Sequence, residues 1–133
     1  AISAASQGKT VVIGSFINIS SVADWIVNQS SGDLLILCAG WKGKYCIEDP
    51  LFAGALAQKL MATDKFVTDC DSTQTSIQLW DMAKTNIMGY LENVAQRHRL
   101  KKLGLDDVLE YCFTPDSSNQ VPVLVDGKLV VSS

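Results

Sequence analysis

Two short apolar runs do most to limit the fold. Thr10–Gly14 (TVVIG) and Asp33–Ala39 (DLLILCA) are unbroken and rich in branched aliphatic side chains, the pattern of strands buried on both faces. Between them Ile19, Val22, Ala23, Ile26 and Val27 recur at helical spacing, with Asn18 placed as an N-cap and Gly32 closing the segment. A strand–helix–strand unit of this kind forms a right-handed crossover between parallel strands. Both strand C-terminal ends then lie on one edge of the sheet.

The second run leads into a loop, Gly40–Glu48 (GWKGKYCIE), and then Asp49-Pro50, where Asp suits the N-cap and Pro the first helical position. The spacing predicts a helix from there to about Met61. A longer helical stretch runs from Ser72 to about Leu103, with Ile77, Trp80, Ile87, Leu91, Val94 and His98 near one face and a break close to Asn86 or Gly89. Arg97, Arg99, Lys101 and Lys102 complement its C-terminal dipole, and Gly104 takes the left-handed cap. Leu105–Tyr111 reads as a short helix and Thr114–Gln120 as a polar loop. Asp126-Gly127 between β-branched runs signals a hairpin, whose first strand Pro122 marks as an edge or first-residue case. The expected class is α/β: a three-layer α/β/α arrangement with a mixed, partly parallel sheet and a C-terminal β-hairpin, forming a single domain over residues 1–133.

Composition narrows the function classes. With 133 residues and 47% hydrophobic side chains, the chain can build one core, and disorder is excluded. Eleven basic against fourteen acidic residues leave a net charge of −3, so the electrostatic footprint of a general nucleic-acid binder is missing. No apolar run approaches the ~18–20 residues of a membrane helix, and Ala1–Thr10 has neither a basic nor an apolar leader region. Cys38, Cys46, Cys70 and Cys112 form no CxxC pair, so free thiols in a reduced, cytoplasmic compartment are expected. The chain opens on Ala1-Ile2 without Met and enters a strand within ten residues, which leads us to expect a piece of something longer.

In open α/β sheets ligands bind outside the carboxyl ends of the strands, here Ser15–Asn18 and Gly40–Asp49. Both loops deliver a helix N-terminus, and Lys42 and Lys44 add positive charge around Gly43. That combination suits an anion such as phosphate; the plainer reading is a solvated loop with two surface lysines. Glu48 and Asp49 are adjacent hard-oxygen donors of the kind Mg²⁺ uses beside phosphate, or else a dipole partner and a helix cap. His98, the only histidine, is either an acid, base or anion contact or a partly buried helix-end residue. Trp41 stands apart from Trp25 and Trp80 because it sits in the loop rather than a helix. Cys46 lies close to Lys44, yet the acids and Pro50 that follow it oppose a thiolate nucleophile for a phosphate dianion.

Beyond spacing, the strings themselves are informative. Gly14–Ala23 (GSFINISSVA), Cys38–Gly40 (CAG), Lys42–Tyr45 (KGKY), Ile47–Asp49 (IED) and Ala53–Leu56 (AGAL) resemble the 2-phosphosulfolactate phosphatase family of coenzyme M biosynthesis. His98–Leu100, Leu103–Leu105, Asp107-Val108, Tyr111-Cys112, Val121–Val123 and Asp126–Lys128 follow in that family's C-terminal order. The resemblance runs from about Gly8 to Val130 and covers the family's C-terminal half.

The resemblance implies a Mg²⁺-dependent acid phosphatase that hydrolyses 2-phosphosulfolactate to sulfolactate and phosphate. On matching positions it implies Glu48 and Asp49 as metal-binding or water-positioning carboxylates, with His98 as a third catalytic candidate. It implies Ser15, Asn18, Lys42, Gly43 and Lys44 as contacts to the phosphate or sulfonate. The expected partners are a small phosphorylated organic acid, a missing N-terminal half of the same chain, and a second copy of the chain. Two positions depart from the family pattern: Phe52 stands where many members have Cys, and Cys46 where they have Ser or Ala. Two other functions stay open at this level, a non-catalytic anion-binding or assembly module and a phosphatase of another small phosphomonoester.

Overall fold

Val11 and Ile13 carry the β-branched side chains and alternating backbone groups that a strand needs, and they find their partner at the far end of the chain. In a computed structural model describing residues 10–29 and 32–132, Ile13 N–H donates to Pro122 O at 2.9 Å and Leu124 N–H to Val11 O at 2.9 Å. These bonds bracket an antiparallel bridge between Val12 and Val123. Val123 lies in strand β1 (Val121–Val125), which pairs on its other side with β2 (Lys128–Ser132). The hairpin turns through Asp126 (φ 48°) and Gly127 (φ 75°), the positive-φ pair that matches strand twist, as the Asp-Gly signal predicts. Pro122 donates no ladder bond and does not need to, since its carbonyl alone serves Ile13.

A single 3₁₀ turn (Phe16–Asn18) leads into helix α1 (Ile19–Gln29). The cap is Ser15 rather than the expected Asn18: Ser15 N–H donates to Asn18 Oδ1 at 2.9 Å, so Asn18 closes the turn from inside it. The first turn of α1 is capped from 96 residues away by Asp116, which accepts from Ser20 N–H at 2.8 Å and Ser20 Oγ–H at 2.6 Å. Burial opposes ionisation of Asp116, but the two bonds from Ser20 outweigh it and hold its carboxyl below the ordinary range.

Helix α2 (Glu48–Met61) starts two residues earlier than predicted, with Ile47 rather than Asp49 at its N-cap. Asp49 therefore sits within the first turn, where its charge favours the dipole and its carboxylate is free to reach outward. The stretch read as one helix from Ser72 to Leu103 divides into α3 (Asp71–Ala83), α4 (Ile87–Tyr90) and α5 (Ala95–Lys102). The break at Asn86 was legible, and its side chain caps α4 by accepting from Gly89 N–H at 3.0 Å. The second break, at Glu92–Val94, carries no Gly or Pro to announce it. Helix α6 (Val108–Cys112) follows Gly104, whose φ of 69° makes it the expected left-handed cap.

The core gathers the apolar faces of these helices against β1: Val22, Ile26, Leu51, Leu56, Leu60, Ala83, Leu91, Val121 and Val123 are buried together. Phe16 is its hub, with the rings of Phe52, Trp80 and Phe113 at 5.6, 5.5 and 5.5 Å. Helices α2 and α3 meet at Gly54, where a side chain would run into the Ser76 carbonyl.

The architecture is thus mixed helix and strand around a two-stranded antiparallel sheet with one bridged flank. Asp33–Ala39, expected as a strand, forms neither helix nor strand, and among the described residues it joins no ladder. Ile36 packs against the core while Leu34, Leu35, Leu37 and Cys38 stay exposed.

Candidate active site

The loop after Asp33–Ala39 and the one after Val11–Ile13 meet at the first turn of α2. Here a cavity of about 310 Å³ is walled by Val12, Gly14 and Ser15 on one side, Leu34–Ala39 on another, and Glu48, Asp49 and Phe52 at its helical end. Phe16, which follows Ser15, lines it as well.

Asp49 is the residue that closes this corner. Its Oδ2 accepts from Gly40 N–H at 2.6 Å, a charge-assisted bond that fastens the end of the Asp33–Ala39 segment to the α2 N-terminus. Asp49 Oδ1 makes no hydrogen bond among the described residues. The Asp49 charge is felt nearby. Burial first, and Asp49 second, push the Cys38 thiol up; burial, then Cys38, Tyr90 and Asp49, do the same to Tyr45. Glu48 lines the same cavity and also a small hollow shared with Met88, Gln96, Arg97 and Phe113. Among the described residues no three His, Cys, Asp or Glu side chains converge as a metal cage. Glu48 and Asp49 are the carboxylates on this wall, hard oxygen donors of the type Mg²⁺ takes one or two of while keeping several waters.

The basic loop is more ordered than its composition implies. Trp41 N–H donates to Lys44 O at 3.0 Å and Lys44 N–H to Trp41 O at 2.9 Å, closing a two-residue hairpin through Lys42 (φ 50°) and Gly43 (φ 75°). Only glycine holds the second of these positions without steric cost. Lys42 Nζ lies 5.7 Å from the Trp41 ring centroid and the Arg99 guanidinium 5.4 Å, so the indole carries two cations. Arg99 also donates to Cys46 Sγ at 3.7 Å and to Gln96 Oε1, which ties α5 to the loop.

The structure therefore brings Ser15, Glu48 and Asp49 to one cavity, and places Lys42, Gly43 and Lys44 in the turn between two of its wall residues, Ala39 and Glu48. It does not bring Asn18 or His98 there. Asn18 is buried, with its amide donating to Gln120 O at 2.9 Å and Ile13 O at 3.3 Å, so it binds the strand end to the approach of β1. His98 is exposed on α5, off the cavity wall. Its neighbour Arg99 reaches the loop instead. Sequence reasoning assigned Arg99 to the helix dipole because spacing along α5 does not say which side of that helix faces the loop.

A family model described as 2-phosphosulpholactate phosphatase matches residues 1–127 of the chain. The chain belongs to the 2-phosphosulpholactate phosphatase family. It is 32% identical over 122 residues to a protein of Caldanaerobacter subterraneus subsp. tengcongensis, covering 92% of this chain and 50% of that one. A Prochlorococcus marinus protein is 35% identical over 119 residues, with 87% and 49% covered. A Thermotoga maritima protein is 27% identical over 125 residues, with 94% and 52% covered. All three carry the name "Probable 2-phosphosulfolactate phosphatase". The chain spans about half the length of these relatives of the 2-phosphosulpholactate phosphatase family. No helix among the described residues is long and apolar enough to cross a membrane.

Proposed function

We propose that this chain is the C-terminal half of a Mg²⁺-dependent phosphatase that hydrolyses 2-phosphosulfolactate to sulfolactate and phosphate. The observation that carries the reading is the pair Glu48 and Asp49 on the cavity wall, at a helix N-terminus, in a chain of this family. A phosphomonoester asks for positioning and charge stabilisation more than covalent chemistry from the protein. Water adds to phosphorus, the bond from phosphorus to the sulfolactate oxygen breaks, and that oxygen leaves with a proton.

Within this reading, Asp49 and Glu48 are the residues that would hold the metal and position a water beside the phosphate. When bound, Mg²⁺ supplies charge neutralisation for the phosphate oxygens. Ser15 contacts the phosphate from the opposite wall, and Lys42, Lys44 and Arg99 draw the dianion toward the loop. Gly40 holds Asp49 in place through its N–H. The three-layer α/β/α arrangement with a partly parallel sheet belongs to the complete chain, where Leu35 and Leu37 gain a cover.

The test is phosphate release from 2-phosphosulfolactate by the full-length enzyme containing these residues. Asp49→Asn keeps an oxygen for Gly40 N–H, so folding is retained, while turnover is expected to fall by about 10²-fold or more. Chelation should abolish turnover and Mg²⁺ restore it. Unchanged turnover in Asp49→Asn removes this mechanism, and equal turnover of generic aryl phosphates removes the named substrate.

A further inference from the structure

Among the described residues, the two edges that bound the cavity are both unfilled. In the antiparallel pairing of Val11–Ile13 with β1, the bonds belong to Val11 and Ile13, so the N–H and C=O of Val12 and Gly14 point the other way, toward the cavity they line. Among the described residues, the backbones of Val12 and Gly14 make no hydrogen bond. Nor do those of Asp33–Ala39, seven consecutive residues outside any helix or strand, of which Leu34–Ala39 make up the opposite wall. Leu35 is 84% exposed, Leu37 49% and Leu34 37%. A long apolar edge of this kind, open to water, templates strand addition and is not left bare in a finished sheet.

Direct pairing of the two edges would have filled the gap, since strands joined by one crossover helix are commonly neighbours. They are instead separated by the cavity, with neither bonded to the other. We propose that this cavity is a β-strand slot, filled by a strand from the part of the family's chain that this one does not span. That strand pairs with Val12 and Gly14 on one edge and with Leu34–Ala39 on the other. The occupant follows from length: the relatives are about twice as long as the stretch they share with this chain. The inference rests on the reading of this chain as half of a longer enzyme, and it adds where the other half enters. It also places the inserted strand directly beside Ser15, Glu48 and Asp49, so the site is walled by both halves.

The experiment tiles the part of the Caldanaerobacter relative that this chain does not match with overlapping twelve-residue peptides and adds each to the purified chain. Amide hydrogen exchange reads the outcome. One apolar, strand-forming peptide is expected to slow exchange at Val12, Gly14 and Leu34–Ala39 by about tenfold or more, with its scrambled version inactive. Leu35→Pro, at a position whose N–H has no partner among the described residues, should leave the fold intact and weaken that peptide at least tenfold. No protection by any peptide overturns the slot, as does protection confined to the helices. Protection that grows with concentration of the chain alone assigns the edge to a second copy and overturns the occupant. Because the readout is exchange and not turnover, its failure is separate from a failure of the phosphatase reading.

Discussion

Gly54→Ala tests the packing that sets the α2 N-terminus in place. A Cβ built on Gly54 lies 2.0 Å from the Ser76 carbonyl oxygen, 2.4 Å from its carbon and 2.9 Å from Ile77 N, all backbone atoms of α3. Ordinary contact begins at 3.4 Å, so the helices must separate by about 1.4 Å at this point. Neither partner is a flexible side-chain end that can swing aside. A gap of that size forfeits half or more of the dispersion energy between facing atoms, and Leu51, Leu60 and Ala83 are buried in the same core. Overpacking costs about 1–3 kcal/mol in ordinary cores, and a backbone clash belongs at or above the upper end. Alanine's better helix propensity returns about 1 kcal/mol. The net expectation is a loss of about 2 kcal/mol, or a fall in Tm of about 6–10 °C for a chain of this size. Thermal unfolding followed by circular dichroism at 222 nm measures it, with exposed Gln78→Ala on α3 as a control expected to stay within about 2 °C. A Gly54→Ala midpoint equal to or above the parent's would refute the close crossing.

Asn18→Ala removes a buried amide that serves Ile13 O and Gln120 O and accepts from Ser15 N–H. Urea unfolding should show a loss of about 2–3 kcal/mol, and a change below about 0.5 kcal/mol would return Asn18 to the list of ligand contacts. Cys70, at the N-cap of α3, is lowered to about 7 by the Ser72 hydroxyl first and by Thr73 and backbone N–H groups after it. A lowered thiol pKa means more thiolate near neutrality, so iodoacetamide should label Cys70 at a rate that rises through about pH 7. Cys38, whose pKa is raised, should lag at pH 7.5, and peptide mapping that finds Cys38 labelled first would contradict the assignment.

Much of the local structure was written in the residues. The positive-φ turn at Asp126-Gly127, the Gly104 cap, the break at Asn86 and the amphipathic stripe of α1 each depend on neighbours a few positions away. Spacing captures such interactions because they are short in sequence. The family strings likewise pointed to the 2-phosphosulpholactate phosphatase family, and they put Ser15 and Asn18, Lys42, Gly43 and Lys44, and Glu48, Asp49 and His98 forward as candidates.

What stayed illegible depends on partners distant in sequence. Asn18 looked like a helix cap with a free amide until Gln120, 102 residues on, took its hydrogen bond. Asp49 looked like a cap until Gly40 N–H claimed one of its oxygens. Arg99 looked like a dipole partner until the fold set it over Trp41, while His98 beside it faced water. The apolar run Asp33–Ala39 shows the division most clearly. Its composition sets a preference for an extended form and for burial on both faces, because those preferences belong to side chains and backbone alone. Whether it has neighbours was for the tertiary structure to decide. A strand's hydrogen bonds are made to other strands, and here they point across a cavity and out from the described residues.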